Sequence, residues 1–396
     1  MMAWIRQTLA VTALNIRTVP QRLGSSAVAI IGIAGVVVVL VSVLSIAQGF
    51  QAAMRGTGSP QRALVMRLGA DSEMTSGLDG PETDVIKQAP GILREGQTAV
   101  ASAELYVIID LPKRTTNTSA NVPMRGIEPA AFQVRPEVSI VEGRMFRFGT
   151  NEIIAGRAAS GQFASLSLGD RIQSGQQTWD VVGVFEADGG LPESEVWADA
   201  RVLQGVYRRG NSFQVVLARL DSTASFDTFR DWLTSNPQVR VQVRREDEYY
   251  SAQSRVLTNL IQTIGVGIAV LMGIGAIFGA ILTMYTAVAS RAREIATLRA
   301  LGFNATSVVA SVLAESAVLG AVGGLIGGLG AYVAFNGYQT STMNLQTFSQ
   351  VSFAFRVTPP LLVGGLVYAL LMGFIGGIFP AVRAARLPIP SALREL

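Results

Sequence analysis

Residues 25–47 read SSAVAIIGIAGVVVVLVSVLSIA, 23 residues without a charge. About 20 apolar residues cross the hydrocarbon core of a bilayer as a helix, so this run predicts a transmembrane span. Ser45-Ile46-Ala47 offers the small residues of a cleavage site, but the run exceeds the roughly 7–15 residues of a signal-peptide core, and the span is read as retained. Working outward, charge-free apolar runs recur at Val256–Ser290, Ser316–Phe355 (greasier in its first half) and Val357–Val382. Four spans follow, centred on residues 25–47, 262–286, 307–334 and 358–380.

Composition agrees with lipid as the solvent. Of the 396 residues 49% are hydrophobic and only 15% charged, against roughly a quarter charged in a soluble domain. Cysteine and histidine are absent, which excludes zinc fingers, Ser-His-Asp triads, Cys nucleophiles and structural disulfides. The only lysines, Lys87 and Lys113, follow Ile86 and Pro112, so the Gly-Lys-[Ser/Thr] step of a phosphate-binding P-loop does not occur in these residues.

Arginine placement sets the orientation, because cytoplasmic flanks of spans collect basic residues. Arg6, Arg17 and Arg22 lie in residues 1–24 without an acid, Arg291, Arg293 and Arg299 follow the second span, and Arg383, Arg386 and Arg394 follow the fourth. All three stretches fall on one side. Residues 49–255 hold 22 basic and 25 acidic residues, net −3, leaving +7 of the overall +4 to the rest. The large segment therefore faces outward, and the net charge describes topology, not affinity for nucleic acid.

That segment is too long for a loop. Ala63–Leu68, Val100–Leu111, Ser212–Leu220 and Gln238–Arg244 read as strands, and Glu82–Gln88 and Ala224–Leu233 as helices, Phe226, Phe229 and Leu233 repeating at i, i+3, i+7. They pair into strand-helix-strand at 62–111 and again at 212–244, the elements of a split βαβ sandwich. Residues 136–206 look like an insertion, with strands at Glu152–Ala155, Asp170–Gln173 and Thr178–Phe185. The expected fold class is thus membrane α-helical with four transmembrane helices and an α+β extracytoplasmic domain between the first and second.

Between the second and third spans Ser290–Gly302 reads SRAREIATLRALG. This predicts a short helix, Ile295, Leu298 and Leu301 on one side, Arg291, Glu294 and Thr297 elsewhere, and Gly302 at an end that suits a left-handed residue. Two readings stand: a basic flank lying on headgroups, or a protein docking surface. Residues 1–23 form an amphipathic candidate with Ile5, Leu9, Ala13 and Ile16 near one face, either an anchor or a further contact. From Glu246 to Ile264 no Pro or Gly interrupts the chain, so the second span is expected to extend outward as one helix, its Glu-Asp-Glu start suiting the helix dipole. Glycines four apart, Gly275/Gly279, Gly320/Gly324, Gly323/Gly327, Gly324/Gly328 and Gly373/Gly377, are candidates for close helix packing. Glu315 falls inside the third span, where a bare charge is costly. Pairing with Arg293 or Arg299, interface packing and a proton relay are its alternatives.

The run Arg291–Phe303, the Gly-rich third span, the ending Phe379–Arg394 (FPAVRAARLPIPSALR) and the outer runs Gly143–Phe146 and Val181–Phe185 resemble the MacB/FtsX-like family of ABC transporter permeases across essentially the whole chain. The layout is similar to its DevC-like members, made without a fused ATPase. The resemblance implies that Arg291, Arg293, Glu294, Ile295, Leu298, Arg299, Leu301 and Gly302 belong to a coupling helix seated on a separate ATP-binding subunit. It also implies a homodimer, ATP and Mg on the partner chain and none here, and no catalytic residue on this one. The domain plan it implies is a cytoplasmic amphipathic helix (1–24), first span (25–48) and periplasmic MacB-like domain (49–255), with a porter-like part (62–135 and 207–245) and an inserted subdomain (136–206). There follow a stalk with the second span (256–290), the coupling helix (291–306), the third span (307–335), a short outer loop (336–357), the fourth span (358–382) and a cytoplasmic tail (383–396). The expected role is a non-catalytic, multi-pass inner-membrane permease subunit, transmitting ATP-driven motion to the outer domain for export or extraction, with a membrane-fusion-type adaptor and outer-membrane channel as further partners. The alternative is an FtsX-like scaffold that activates an extracytoplasmic cell-wall hydrolase.

The orientation is testable through the two lysines. An impermeant amine reagent should label the chain in intact spheroplasts at Lys87 and Lys113; labelling confined to inverted vesicles would reverse the topology.

Overall fold

The computed structural model describes residues 23–389 except 345, 346 and 348, together with residue 12. The amphipathic expectation for residues 1–24 and the final arginine, Arg394, lie almost entirely outside the described residues. Two compact units divide the chain, one containing Asn259–Tyr338 and the stretches ending at Gln48 and starting at Phe355, the other Gly49–Thr258 and Gln339–Ala354.

The helices long and apolar enough to cross a membrane are Leu23–Thr57, Glu246–Ser290, Ala305–Phe335 and Pro359–Ala385, the greater part of each in the first unit. The fourth opens with proline in its first turn, where a missing N–H costs nothing. The second runs 45 residues, its first turns belonging to the other unit, as the lack of Pro and Gly before Gly265 predicts.

Glycine decides how these helices meet. A Cβ placed on Gly320 would lie 2.7 Å from the Ala369 carbonyl oxygen, one on Gly324 2.7 Å from Ala369 Cβ, and one on Gly373 2.5 Å from the Ser316 carbonyl oxygen. Gly377 would meet Ser316 Oγ, and Gly328 lies looser, 3.4 Å from Leu362 Cδ2. Third and fourth helices therefore touch backbone to backbone. One residue round the third helix, Gly323 and Gly327 face the first, a Cβ there meeting the Ile30 carbonyl oxygen at 3.0 Å and that of Ala34 at 2.5 Å. Gly275 and Gly279 are different: no described residue lies within 4 Å of either added Cβ, and they line an open groove with Val28, Gly32, Val36 and Met272.

The second unit is built on one ten-stranded sheet. Its strands are β1 (Arg62–Arg67), β2 (Ala101–Pro112), β3 (Ser119–Ile127), β4 (Ser139–Gly143), β5 (Glu152–Gly156), β6 (Arg171–Ser174), β7 (Gln177–Glu186), β8 (Val196–Asp199), β9 (Val215–Arg219) and β10 (Val241–Arg245). The order is β10-β1-β9-β2-β3-β8-β5-β7-β4, with β6 beside β7. The first four neighbours are antiparallel and carry helices Gly80–Gln88 after β1 and Ser225–Ser235 after β9. This is the split βαβ arrangement expected from the sequence. Phe226, Phe229 and Leu233 are buried as their spacing requires. Asp79 and Glu82 close the reciprocal capping box of the first helix.

Strand β2 is shared. Ala101–Glu104 pair with β9 and Leu105–Pro112 with β3, and the hydrophobic cores divide at the same place. Ala101 and Ala103 pack with Val65, Ile86, Val216 and Phe229. Leu105, Val107 and Ile109 pack with Val122, Met124, Ile153, Trp179 and Val196. Residues 105–127 of the stretch 62–135 thus share a core with the stretch 136–206.

Gly320→Val should lower the unfolding midpoint of the detergent-solubilised chain by an amount equivalent to about 1–3 kcal/mol, because backbone must move to admit the side chain. Gly275→Val, measured on the monomeric chain, should stay within about 0.5 kcal/mol of the parent. Equal effects at the two positions would contradict the packing.

Candidate functional site

The second span helix ends at Ser290, and after a one-residue break the short helix Ala292–Ala300 follows. Gly302, at φ 92°, lets the chain leave it in the left-handed region. The Gly302 N–H donates to the Arg299 carbonyl at 3.1 Å and the Phe303 N–H to that of Leu298 at 3.1 Å. Asn304 then precedes the third span helix.

One side of this short helix is fastened inward. Arg291, 4% exposed, donates from both terminal nitrogens to Glu315, at 3.0 and 3.2 Å. Ile295 is buried among Met284, Val288, Val308, Val312 and Ala381. Arg299 donates from Nη1 to the carbonyl of Ala385, at 2.6 Å, at the end of the fourth span helix. Beside Arg291 a cleft of about 20 Å³ is lined by Glu294, Ile295, Leu298 and Val308, far short of the roughly 300–1,000 Å³ of a small-molecule pocket.

The other side is open. Arg293, Glu294, Thr297, Leu301 and Gly302 are exposed, Leu298 half-buried, and Leu301, at 73%, is among the most exposed large hydrophobic side chains of the described residues. The residues read from sequence as one docking set therefore divide: Arg291, Ile295 and Arg299 hold the helix, while Arg293, Glu294, Leu301 and Gly302 are presented by it. Of the three residues expected on one apolar side, Ile295 is buried, Leu298 half-buried and Leu301, at the helix end, exposed. Glu315 pairs with Arg291 rather than Arg293 or Arg299. The second span helix brings Arg291 to the level of Glu315, whereas Arg293 points outward from the first turn of the short helix.

A second concentration of buried charge lies in the sheet unit, and no motif announced it. Arg125 on β3 is 2% exposed. It donates to Glu104 (2.9 Å), to Glu73 (2.8 Å) and twice to Glu195 (2.7 and 2.8 Å). Arg135 donates twice to Glu104, at 2.6 and 2.8 Å. Trp197 Nε1 donates to Glu195 at 2.8 Å. Burial alone would raise the Glu104 carboxyl, but the two guanidiniums outweigh it and hold the group below the usual carboxylate range. At Glu73 burial prevails over Arg125 and the carboxyl is pushed up, with Glu195 and Glu104 adding to the rise. Burial also raises the Tyr106 phenol beside them.

These features define a class: a multi-pass membrane protein with an α+β domain on the periplasmic or extracellular side and a short helix exposed between its second and third spans. Residues 26–236, just over half of the chain, match the model of the MacB-like periplasmic core domain, and residues 266–389 match that of the FtsX-like permease C-terminal region. The chain belongs to the MacB/FtsX-like family of ABC transporter permeases. It is 26% identical over 340 residues to the macrolide export ATP-binding/permease protein MacB of Pasteurella multocida, covering 80% of this chain and 50% of that one. The chain thus spans about half the length of this relative. The ABC transporter permease YknZ of Bacillus subtilis is 32% identical over 140 residues, 35% of this chain and 32% of that one. Among solved structures, the periplasmic region of MacB from Actinobacillus actinomycetemcomitans aligns with a TM-score of 0.38 at 13% identity, over 51% of this chain and 96% of that one.

Arg291→Ala should destabilise the chain by about 3–5 kcal/mol, since it leaves a buried carboxylate without its guanidinium. Removing both partners in Arg291→Ala/Glu315→Ala should cost less than the single change. A double variant at least as unstable as the single one would show that the pair is not coupled.

Proposed function

We propose that this permease carries ATP-driven motion of a separate ATP-binding subunit to its outer domain, for export or extraction of a substrate. The observation that carries the reading is the two-sidedness of the short helix. Its inner side is anchored by Arg291–Glu315, Ile295 and Arg299, so a push on the outer side moves the second and third span helices rather than bending a loop. The outer side offers Arg293, Glu294 and Leu301, charges of both signs around an apolar residue, as a protein partner requires and a lipid headgroup layer does not. The second span helix continues without a break from Ser290 back to Glu246, and a continuous helix transmits displacement without loss in a joint.

ATP and Mg belong to the partner in this reading, and this chain contributes no catalytic group. A second copy of the chain completes the unit. Among the described residues and the glycine pairs named above, Gly275 and Gly279 are the pair not filled by packing, and the second copy is assigned to that face.

The double variant Glu294→Arg/Leu301→Asp should reduce recovery of the ATP-binding subunit with the tagged permease at least tenfold after gentle solubilisation of native membranes, while membrane insertion is unchanged. Undiminished recovery would remove the docking assignment. Absence of any ATP-binding subunit from the parent preparation would remove the transport reading itself.

A further inference from the structure

Two guanidiniums, Arg125 and Arg135, face three buried carboxyls, Glu73, Glu104 and Glu195, in the sheet unit. A buried excess of negative charge is resolved most cheaply by a proton. Its place follows from the bonds. Glu104 receives three guanidinium donors and Glu195 two, with the Trp197 indole in addition. Glu73 receives one guanidinium donor, from Arg125.

Glu73 is also where the sheet holds the first turns of the long helix Glu246–Ser290. Its backbone N–H donates to Tyr249 Oη at 3.0 Å, and Tyr250 Oη donates to its Oε1 at 3.3 Å. A few residues away, Glu246 binds Arg62 and accepts from the Ser59 N–H at 3.1 Å. Gln253 accepts from Asn344 at 3.2 Å, and Tyr106 Oη meets Ser349 Oγ at 3.4 Å. A cleft of about 10 Å³ lined by Glu73, Arg125, Tyr250 and Gln253 adjoins the carboxyl. The groups facing Glu73 are thus Arg125 from β3, Glu104 and Tyr106 from β2, Glu195 ahead of β8, and Tyr249 and Tyr250 from the long helix, with Arg135 one bond further out through Glu104 and the Glu246–Arg62 pair beyond it.

We propose that Glu73 holds a proton in the folded outer domain and that releasing it unlocks the start of the long helix from the sheet, a latch set by the acidity of the compartment the domain faces. On release the proton goes to water, and the new carboxylate confronts Glu104 and Glu195 across a single shared arginine; this repulsion displaces Glu73, and with it the groups on which Tyr249 and Tyr250 are seated. The sign follows from linkage. A carboxyl that is more basic in the folded than in the unlatched state favours the latched form at low pH, and that advantage is lost as pH rises from the ordinary carboxylate value through the raised one. The latch belongs to the outer domain alone and holds whether or not an ATP-binding subunit docks on the short helix.

The test is hydrogen–deuterium exchange on the full chain in lipid nanodiscs, following peptides from Glu246–Thr258 between about pH 5 and pH 9, corrected for intrinsic exchange. Opening of this segment should increase with pH, by up to about tenfold per pH unit inside the titration window, as one linked proton dictates. In Glu73→Gln, which keeps a neutral side chain at every pH, the segment should remain protected with a flat profile. Infrared difference spectra should show a protonated-carboxyl band in the parent that is lost at high pH and missing from the variant. The same slope in parent and Glu73→Gln overturns the proposal, as does a slope abolished by Glu246→Gln and not by Glu73→Gln. Should Glu73→Gln fail to fold, a parent chain with neither slope nor band overturns it equally.

Discussion

Hydrocarbon offers helices no hydrophobic reason to associate, so the arrangement of the membrane unit rests on how closely backbones can approach. The third span helix meets two neighbours through two glycine rows, Gly320 and Gly324 toward the fourth helix and Gly323 and Gly327 toward the first. A side chain at any of these would have to displace a carbonyl or a Cβ. Because the rows are one residue apart in phase, they fix the helix's rotation as well as its distance. That rotation is what turns Glu315 inward, to the guanidinium of Arg291.

The Arg291–Glu315 pair is a poor source of stability, since desolvating both charges offsets most of their attraction. Its effect is geometric. A bidentate guanidinium–carboxylate contact has direction as well as energy, and it stands at the break between the second span helix and the short helix. With Ile295 in an apolar socket and Arg299 on the last carbonyl of the fourth helix, that of Ala385, the short helix is held at its start, middle and end. Its exposed residues are therefore displayed from a rigid support, the condition under which a nine-residue helix can receive force.

Much of this was legible in the sequence, and what was not has identifiable causes. The spans announced themselves because a charge-free apolar run of more than about 20 residues matches the thickness of a bilayer and exceeds what a soluble core buries. The outer strands appeared because their runs are rich in apolar residues, as those of strands buried on both faces are. Such a run does not report its partner, however, and so the handover within β2 between Glu104 and Leu105 left no trace. The partner of Glu315 is not legible because it lies on another element, and only the fold shows that Arg291, in the break before the short helix, reaches the carboxylate while Arg293 is exposed. The cluster of Glu73, Glu104, Arg125, Arg135 and Glu195 is spread over more than 120 positions, and only the sheet order assembles it.

Replacing such a buried cluster with apolar side chains of similar volume often stabilises a protein, so its presence calls for a reason other than stability. The location supplies one. Two β strands, the turn before β8 and the first turns of the long helix converge there, and apolar packing between such elements would tolerate small rotations of the helix about its axis. Hydrogen bonds from Arg125 to three carboxyls, from the Glu73 N–H to Tyr249 and from Tyr250 to the Glu73 carboxyl, do not tolerate them, because a displaced donor in a low-dielectric site loses its full desolvation compensation. A joint made this way has two states, seated or released, with little between. That is the property a helix needs if it is to pass motion into a domain as a step rather than dissipate it as a gradual tilt.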